Sequence, residues 1–480
     1  MKNKWLSIPF TFVLILAFIG QEKLFAFSQA SAQEAPGATP GLYLPLLVGG
    51  NPPNVPQTPS TTVFGVEVHN LSNPQYLADT QNANPTWIRQ SGMDWNVIQP
   101  SKNGPYDWSS VQAVEPEMIK ASQLGYNLIQ IATDTPSWAQ KYPGNPGPVC
   151  GPIKQSEFDS FGEFLKAAVA RYSVPPYNVK YWEIGNEPDF PFSAQTGMGC
   201  WGDISQPYYG GQYYGEMLAT VIPYIKQANP DVKILNGGLL LDCDPSLSAC
   251  HNPDMASFLE GMVKSGVVSQ LDYVNFHSYD YGGINLGRFG NANWGTNYKN
   301  DPALVAKVAF IRNVLNKYGL DNMPLINTET AVLNFESSCN ATCMQNKALY
   351  VGRSYTAAIA QGLAANIWFQ ASNGWANSGL YNGPMYDAFV FARNELDTAH
   401  VTHKIIDYES SANVAGYEFD RGDIKLWVLW SHDLSSHTIK LPGTPLAVYK
   451  WTQNNGPYVS VNPSASLEVD IFPVYIEWGK

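Results

Sequence analysis

From residue 63 onward, short apolar runs rich in β-branched residues alternate with segments whose apolar positions recur at helical spacing. The strand-like runs are eight: Val63–His69, Thr86–Gly92, Asn127–Thr133, Val179–Gly185, Val232–Gly238, Asp272–Tyr279, Pro324–Glu329 and Ala365–Ala371. Helical segments between them include Ser109–Leu124, Gln155–Tyr172, Pro207–Ala228, Pro302–Tyr318 and Asn346–Gln361. In Gln155–Tyr172, residues Phe158, Phe161, Leu165, Ala168, Val169 and Tyr172 share one face behind Ser156, a candidate cap. Strands alternating with helices pair in parallel through crossovers. Eight such units in about 330 residues predict an α/β fold of the (β/α)8 TIM-barrel type.

A doubly wound open sheet competes with that reading, but it usually carries a Gly-rich loop after its first strand. Here that position reads Gly65-Val66-Glu67-Val68-His69-Asn70. One GxGxxG match, Gly197–Gly202, lies well beyond its strand and opens no helix, so it reads as chance. After about residue 400 the period changes to two. Val414–Asp420, Lys425–Ser431, Thr438–Leu441, Ala447–Trp451 and Leu467–Ile476 alternate apolar and polar residues between turn-forming stretches, which predicts a C-terminal antiparallel β-sandwich.

The N-terminus has the form of an export signal. Lys2 and Lys4 precede an apolar run from Ile8 to Ile19, and Ala30-Ser31-Ala32 is a small-x-small cleavage site. That run falls short of the roughly 20 residues a membrane span needs, so no stable membrane insertion is expected. Seven prolines between residues 33 and 62 give linker composition. The expected organisation is a signal peptide (1–32), a Pro-rich linker (33–62), a catalytic barrel (63–399) and a β-sandwich (400–480), in a secreted protein. No linker of that kind separates barrel from sandwich, so the two are expected to pack together.

Composition sharpens the picture. With 28 Lys+Arg against 40 Asp+Glu the formal charge is −12, and only 14% of residues are charged. Such a chain lacks the basic stripe that phosphate backbones require, which excludes nucleic acid as a partner. Fourteen Trp and 27 Tyr on this background suit uncharged polar ligands, sugars above all. Six cysteines in an exported chain read as loop-stapling disulfides: Cys243/Cys250 and Cys339/Cys343 can close local loops, leaving Cys150 and Cys200 to pair. No CxxC pair or His at ligand spacing supports zinc, and no metal or organic cofactor is expected.

In a barrel, function sits at the C-terminal ends of the strands. Strand four ends Glu183-Ile-Gly-Asn186-Glu187-Pro188-Asp189, and strand seven ends Asn327-Thr-Glu329-Thr330. Two carboxylates on strands roughly opposite in the ring can face each other across the mouth. Glycoside hydrolysis needs that pair, one to protonate the leaving oxygen and one to attack the anomeric carbon or activate water. Solvated surface charge explains most glutamates, but it explains poorly two at strand ends within apolar runs.

These residues resemble those of the large clan of retaining (β/α)8 glycoside hydrolases whose catalytic glutamates sit on strands four and seven. The resemblance covers residues 63 to about 395. It implies Glu187 as acid/base, Glu329 as nucleophile, Arg89 of Trp87-Ile-Arg89 as a partner of the nucleophile region, and Phe276-His277-Ser-Tyr279 as the strand-six His-x-Tyr. Trp368 or Trp375 would supply the aromatic platform at strand eight. Trp95–Pro100, Gly104–Trp108 and Pro136-Ser-Trp138 further resemble family 39, the β-xylosidases and α-L-iduronidases, and its neighbours.

The residues support these roles by their own chemistry. Asn186 can donate to a sugar 2-hydroxyl, an interaction that strengthens in the transition state. Glu187 must carry a proton near neutral pH, which a negative Glu329 nearby would favour. Arg89 could hold Glu329 ionised, and Glu183, alternating to the barrel interior, is a buried partner for Arg89. His277 is either a satisfied interior histidine or a substrate contact, whereas the Tyr279 hydroxyl lies at the strand end. Trp368 reads as core, and Trp375, in a Ser-Asn-Gly loop, as a sugar platform. Trp138, Tyr142, Trp201, Tyr281, Trp294 and Tyr298 lie on three long loops that would wall a cleft. Few basic residues lie on those loops, so a neutral sugar is expected. The expected activity is retaining hydrolysis of an oligo- or polysaccharide. A non-catalytic glycan-binding protein on the same barrel and an inverting hydrolase are the alternatives.

Overall fold

Alternation of strand and helix closes a barrel. The computed structural model describes residues 62–480, apart from 143–150, 192–200, 283–284, 298, 300, 336–337, 373–374, 382, 407, 409–412, 453–455 and 463. Eight parallel strands form the ring: β1 (Phe64–Glu67), β2 (Trp87–Asp94), β3 (Asn127–Thr133), β4 (Tyr181–Ile184), β5 (Lys233–Asn236), β6 (Val274–Gly282), β7 (Leu325–Leu333) and β8 (Asn366–Trp368). Ladders run β5-β4-β3-β2-β1-β8-β7-β6. Two isolated bridges, Leu235 to Tyr273 and Leu239 to Phe276, join β5 to β6 and complete the circle.

Helices cover the outside: α1 (Pro74–Ala83), α2 (Glu115–Gln123), α3 (Phe158–Tyr172), α4 (Gly211–Ala228), α5 (Phe258–Lys264), α6 (Ala303–Asn316), α7 (Ala341–Ala360) and α8 (Pro384–Glu395). In α3 the six expected residues are buried, and they form part of the apolar layer between helices and strands. Ser156 does not cap α3. It lies inside a 3-10 turn, Gln155–Glu157, that precedes the helix, and Glu157 takes the cap position. The cap of α7 is Asn340, whose side chain accepts from the Cys343 amide at 2.9 Å, with Cys339–Cys343 closed across the same turn. Cys243–Cys250 is also formed. Cys150 and Cys200 lie outside the described residues, as do the signal-like segment and nearly all of the Pro-rich stretch.

The barrel interior is not uniformly apolar. Buried Asn275 and Thr328 lie inside it, with Thr328 donating to Asn275 Oδ1 at 2.9 Å, whereas Asn366, paired with Asn327, turns outward to Ser354 of α7. Trp87, Ile129, Leu235, Ile326, Ala365 and Ile367 form a separate apolar cluster among the strands, two residues below Arg89 at Trp87.

The C-terminal part is an antiparallel sheet of six strands faced by a two-stranded ribbon. The sheet comprises β9 (His400–Ile405), β10 (Val414–Arg421), β11 (Ile424–Ser431), β13 (Ala447–Trp451), β14 (Tyr458–Val461) and β16 (Val474–Gly479); β12 (His437–Lys440) pairs with β15 (Ser466–Val469). The expected run Leu467–Ile476 is thus two strands in two sheets, broken at Asp470–Pro473. Between sheet and ribbon lie Val414, Leu429, Ile439, Val448, Leu467, Val469 and Ile476. The other face of the sheet packs on the barrel helices. Phe391 of α8 stacks on Tyr458 at 4.2 Å, and buried Arg353 of α7 donates to the carbonyls of Ser431 and Ile471. No helix among the described residues is long and apolar enough to cross a membrane.

Candidate active site

Strand geometry brings the sequence-predicted charges to one place. Glu67 ends β1, Arg89 lies in β2, Glu183 in β4 with Asn186 and Glu187 just beyond it, His277 and Tyr279 in β6 and Glu329 in β7. Arg89 is the hub. Its Nη1 donates to Glu329 Oε1 at 2.6 Å and to Glu67 Oε2 at 2.7 Å. Its Nε and Nη2 grip both oxygens of Glu183 at 2.8 and 3.0 Å, and Nη2 reaches Asn186 Oδ1 at 2.8 Å. Guanidinium only donates, so the Asn186 atom facing it is the carbonyl oxygen.

The second oxygen of Glu329 accepts from the Tyr279 hydroxyl. Both carboxylate oxygens of Glu329 therefore have a donor, and the side chain has one orientation. Burial pushes its carboxyl above the ordinary glutamate value, against the pull of His277 and Arg89. Glu67 goes the other way. Burial would raise it, but Arg89 and His69 together hold it down to about 2.

His277 is fully buried and touches both candidate catalytic carboxylates, with Nδ1 3.0 Å from Glu187 Oε1 and 3.4 Å from Glu329 Oε2. Its Nε2 is 3.2 Å from Thr328 Oγ1, and that hydroxyl donates to Asn275 Oδ1 at 2.9 Å. Thr328 must then accept from His277, which puts a hydrogen on Nε2. Nδ1 faces an oxygen of Glu187, so a proton held by either partner completes that contact. Burial pulls the imidazole down, but Glu329 and Glu187 overcome it and raise its value. Gly238 makes room for the ring: a Cβ there would lie 2.0 Å from His277 Nε2.

Glu187 itself has a backbone φ of 44°, in the left-handed region that non-glycine residues enter at a cost of about 1–2 kcal/mol. Its amide donates to the Gly238 carbonyl at 3.0 Å, which holds that conformation. Strain of this kind gathers at functional sites. The side chain is a quarter exposed, whereas Glu329 is one-tenth exposed. One oxygen of each glutamate and a nitrogen of His277 lie within 4.8 Å of one another.

Similar structures include a family 39 glycoside hydrolase from the gut symbiont Bacteroides cellulosilyticus WH2, with TM-score 0.63 and 18% identity over 88% of this chain and 81% of that one. A family 30 endoxylanase from Clostridium papyrosolvens C71 has TM-score 0.54 and 10% identity, over 88% and 98%. A monomeric β-xylosidase from Caulobacter crescentus CB15 has TM-score 0.52 and 14% identity, over 87% and 96%. The chain has the fold of these glycoside hydrolases. No protein-family model and no curated protein matches it.

Trp375 is half-buried and meets Tyr279 edge-on at 6.3 Å and Phe335 at 5.2 Å. Trp138 is half-buried against Trp95 at 5.1 Å and donates to the Gln99 carbonyl, so its polar edge is turned into the fold. Trp368 is fully buried and donates to the Ser378 carbonyl. Of the loop aromatics, Trp201 and Trp294 are buried, Tyr142 donates to Asp203, Tyr281 is 38% exposed, and Tyr298 lies outside the described residues.

Sequence reasoning passed over Glu67, His69, Asp189 and Phe335. Glu67 was open to the argument used for Glu329, a charge at the end of an apolar strand. Phe335 carried no signal, since its exposure of 48% depends on the loop path. Among the described residues, Glu187, His277 and Glu329 are also the group able to hold a metal ion. Arg89 already supplies positive charge at 2.6 Å from Glu329, where a cation would have to compete with it.

Proposed function

We propose that this protein is a secreted glycoside hydrolase that cleaves O-glycosidic bonds of an oligo- or polysaccharide with retention. The observation that carries the reading is the pair Glu187 and Glu329, facing each other at the strand ends with carboxylate oxygens within 4.8 Å. Retaining enzymes hold the two carboxyl groups about 5–5.5 Å apart and inverting ones about 6.5–9.5 Å, to fit a water. Export is supported by the signal-like N-terminus and by two disulfides, a feature of oxidising compartments.

Chemistry follows from the contacts. Glu329, oriented by Arg89 and Tyr279, attacks the anomeric carbon. As the glycosidic C–O bond breaks, Glu187 gives its proton to the leaving oxygen. A water then attacks the glycosyl-enzyme, Glu187 takes the water proton, and Glu329 leaves as carboxylate. Arg89 occupies Asn186 Oδ1, which leaves the Nδ2 donor for a sugar 2-hydroxyl. The test is proton NMR of the first-formed sugar from a panel of 4-nitrophenyl glycosides. Retention of anomeric configuration is expected. Inversion overturns the double displacement, and no turnover on any neutral glycoside overturns the hydrolase.

A further inference from the structure

Next to Glu187 lies a carboxylate that this mechanism does not use. Asp242 sits on the loop after β5, and the backbone around it is fixed from several sides. Buried Asp189 accepts from the amides of Leu240 and Leu241, both at 2.8 Å. Lys307 donates to the Leu240 carbonyl at 2.7 Å, and the Trp294 indole to the Leu241 carbonyl at 2.8 Å. Cys243–Cys250 locks the following residue. A half-buried aspartate is thereby presented on a rigid backbone, and its charge bears on Glu187 and on Tyr281. Burial pushes its carboxyl up, while Lys307, His251 and a hydrogen bond with the Asn293 side chain pull it down.

The segment after β6 is tied to this loop, the Asp244 amide donating to the Asn293 carbonyl at 2.9 Å, and an aromatic pair stands at the end of β6. Tyr281, at the end of β6, stacks on Phe335 with ring centroids 6.3 Å apart and planes 28° apart. Both rings are exposed, 38% and 48%, although exposed neighbouring aromatics normally find cover. A ring face beside a fixed carboxylate matches a pyranose, which has apolar C–H faces and equatorial hydroxyl donors. Asp242 follows β5 and Tyr281 ends β6, on the side of the barrel that carries Glu187, the proton donor to the leaving oxygen, so a sugar held by them is the leaving group; Phe335, just past β7, joins through its stack on Tyr281 and also meets Trp375 at 5.2 Å.

We propose that Asp242, Tyr281 and Phe335 form the subsite for the leaving-group sugar, with Asp242 accepting from one of its hydroxyls. The site thus takes an uncharged saccharide on the leaving side; a uronate would meet Asp242 as a like charge. This rests on the hydrolase reading above.

The test compares kcat/KM for a 4-nitrophenyl glycoside and for the disaccharide of the same glycone, over a panel of xylose, glucose, galactose, mannose and arabinose. Nitrophenol offers no hydroxyl donor to Asp242 once it is the leaving group. Asp242→Ala should lower the disaccharide value at least tenfold more than the nitrophenyl value. Phe335→Ala, which removes an exposed ring, should change the ratio severalfold in the same direction. Equal losses on both substrates would mean that Asp242 only braces the loop, and an unchanged ratio in both variants would overturn the subsite. Wild-type protein inactive on every member of the panel would instead overturn the hydrolase reading, and the subsite with it.

Discussion

Arg89 donates to Glu329 at 2.6 Å, with the two side chains 1% and 10% exposed. The same guanidinium also faces Glu67 and Glu183, so three carboxylates share one permanent cation. Buried charge without compensation is costly, and protons are the remaining source of compensation. The directions of the shifts agree: Glu329 and His277 both bind protons more tightly than usual.

This sets the acid limb of activity. The nucleophile must be ionised, so kcat/KM should fall as pH drops through a value above the ordinary 4.5 of a glutamate. Tyr279 donates to the ionised carboxylate and favours it. Tyr279→Phe should therefore move the acid limb to higher pH and lower kcat by about ten- to a hundredfold, a hydrogen bond to a charged group being worth roughly 1.5–3 kcal/mol. A pH profile of kcat/KM for both proteins checks this. An acid limb that stays in place would show that Tyr279 does not stabilise ionised Glu329.

The two glutamates make different kinetic demands. Glu329→Ala should lose nearly all turnover on every substrate, whatever the leaving group. Glu187→Ala should still be glycosylated by a dinitrophenyl glycoside, whose leaving group needs no proton, and then stall at deglycosylation. Azide needs no base. It should speed Glu187→Ala and give a glycosyl azide of retained configuration, whereas with Glu329→Ala it should give the opposite anomer. The reverse pattern would exchange the two roles.

Much of this arrangement was legible in the sequence because a parallel barrel repeats a period. Eight apolar runs placed the strands to within a few residues. The largest error was at β7, which continues from Glu329 to Leu333 because every residue in it is buried, so no polar position marks its end. Pairing of Arg89 with Glu183 followed from strand alternation alone. Long-range placement did not: that Glu67 joins the same guanidinium depends on β1 lying beside β2 in register, Glu67 opposite Arg89. Strands β9 and β14 were missed for a related reason. Both are sheet edges: β9 is exposed at five of its six residues, and β14 is only four residues long, too short for its alternation to stand out.

Glu67 should also govern acid stability. Its carboxyl is held at about 2 in the folded protein against an ordinary 4.5. The folded value lies below the unfolded one, so the contribution is complete above pH 4.5 and is lost as pH falls toward 2. At about 1.4 kcal/mol per pH unit it amounts to roughly 3 kcal/mol. Glu67→Gln should be less stable than wild type at pH 7, with the gap closing as pH falls below 4. Asp189 and Asp280, both raised to about 6, act in the opposite sense, but equally in both proteins. Urea unfolding at pH 7, 5 and 3 measures the gap. A gap independent of pH would place the stabilisation in packing and not in charge.

The seat of His277 can be tested from the backbone. A methyl group at Gly238 would fall 2.0 Å from Nε2 and 2.3 Å from Cδ2 of the buried ring, so Gly238→Ala must displace His277 or the strand end. Overpacking of this kind costs about 1–3 kcal/mol. If His277 serves only to fill the barrel, activity should fall no further than stability explains. If its contact with Glu187 matters, kcat should drop at least tenfold under conditions where the variant is fully folded. Gly125→Ala provides the comparison. It has φ 75° and no atom within 4 Å of an added Cβ, so it should lose about 1–2 kcal/mol from backbone strain alone while kcat stays within twofold of wild type. Thermal unfolding and kcat measured on both variants separate the two cases. Parallel losses of stability and activity in both would leave His277 as packing.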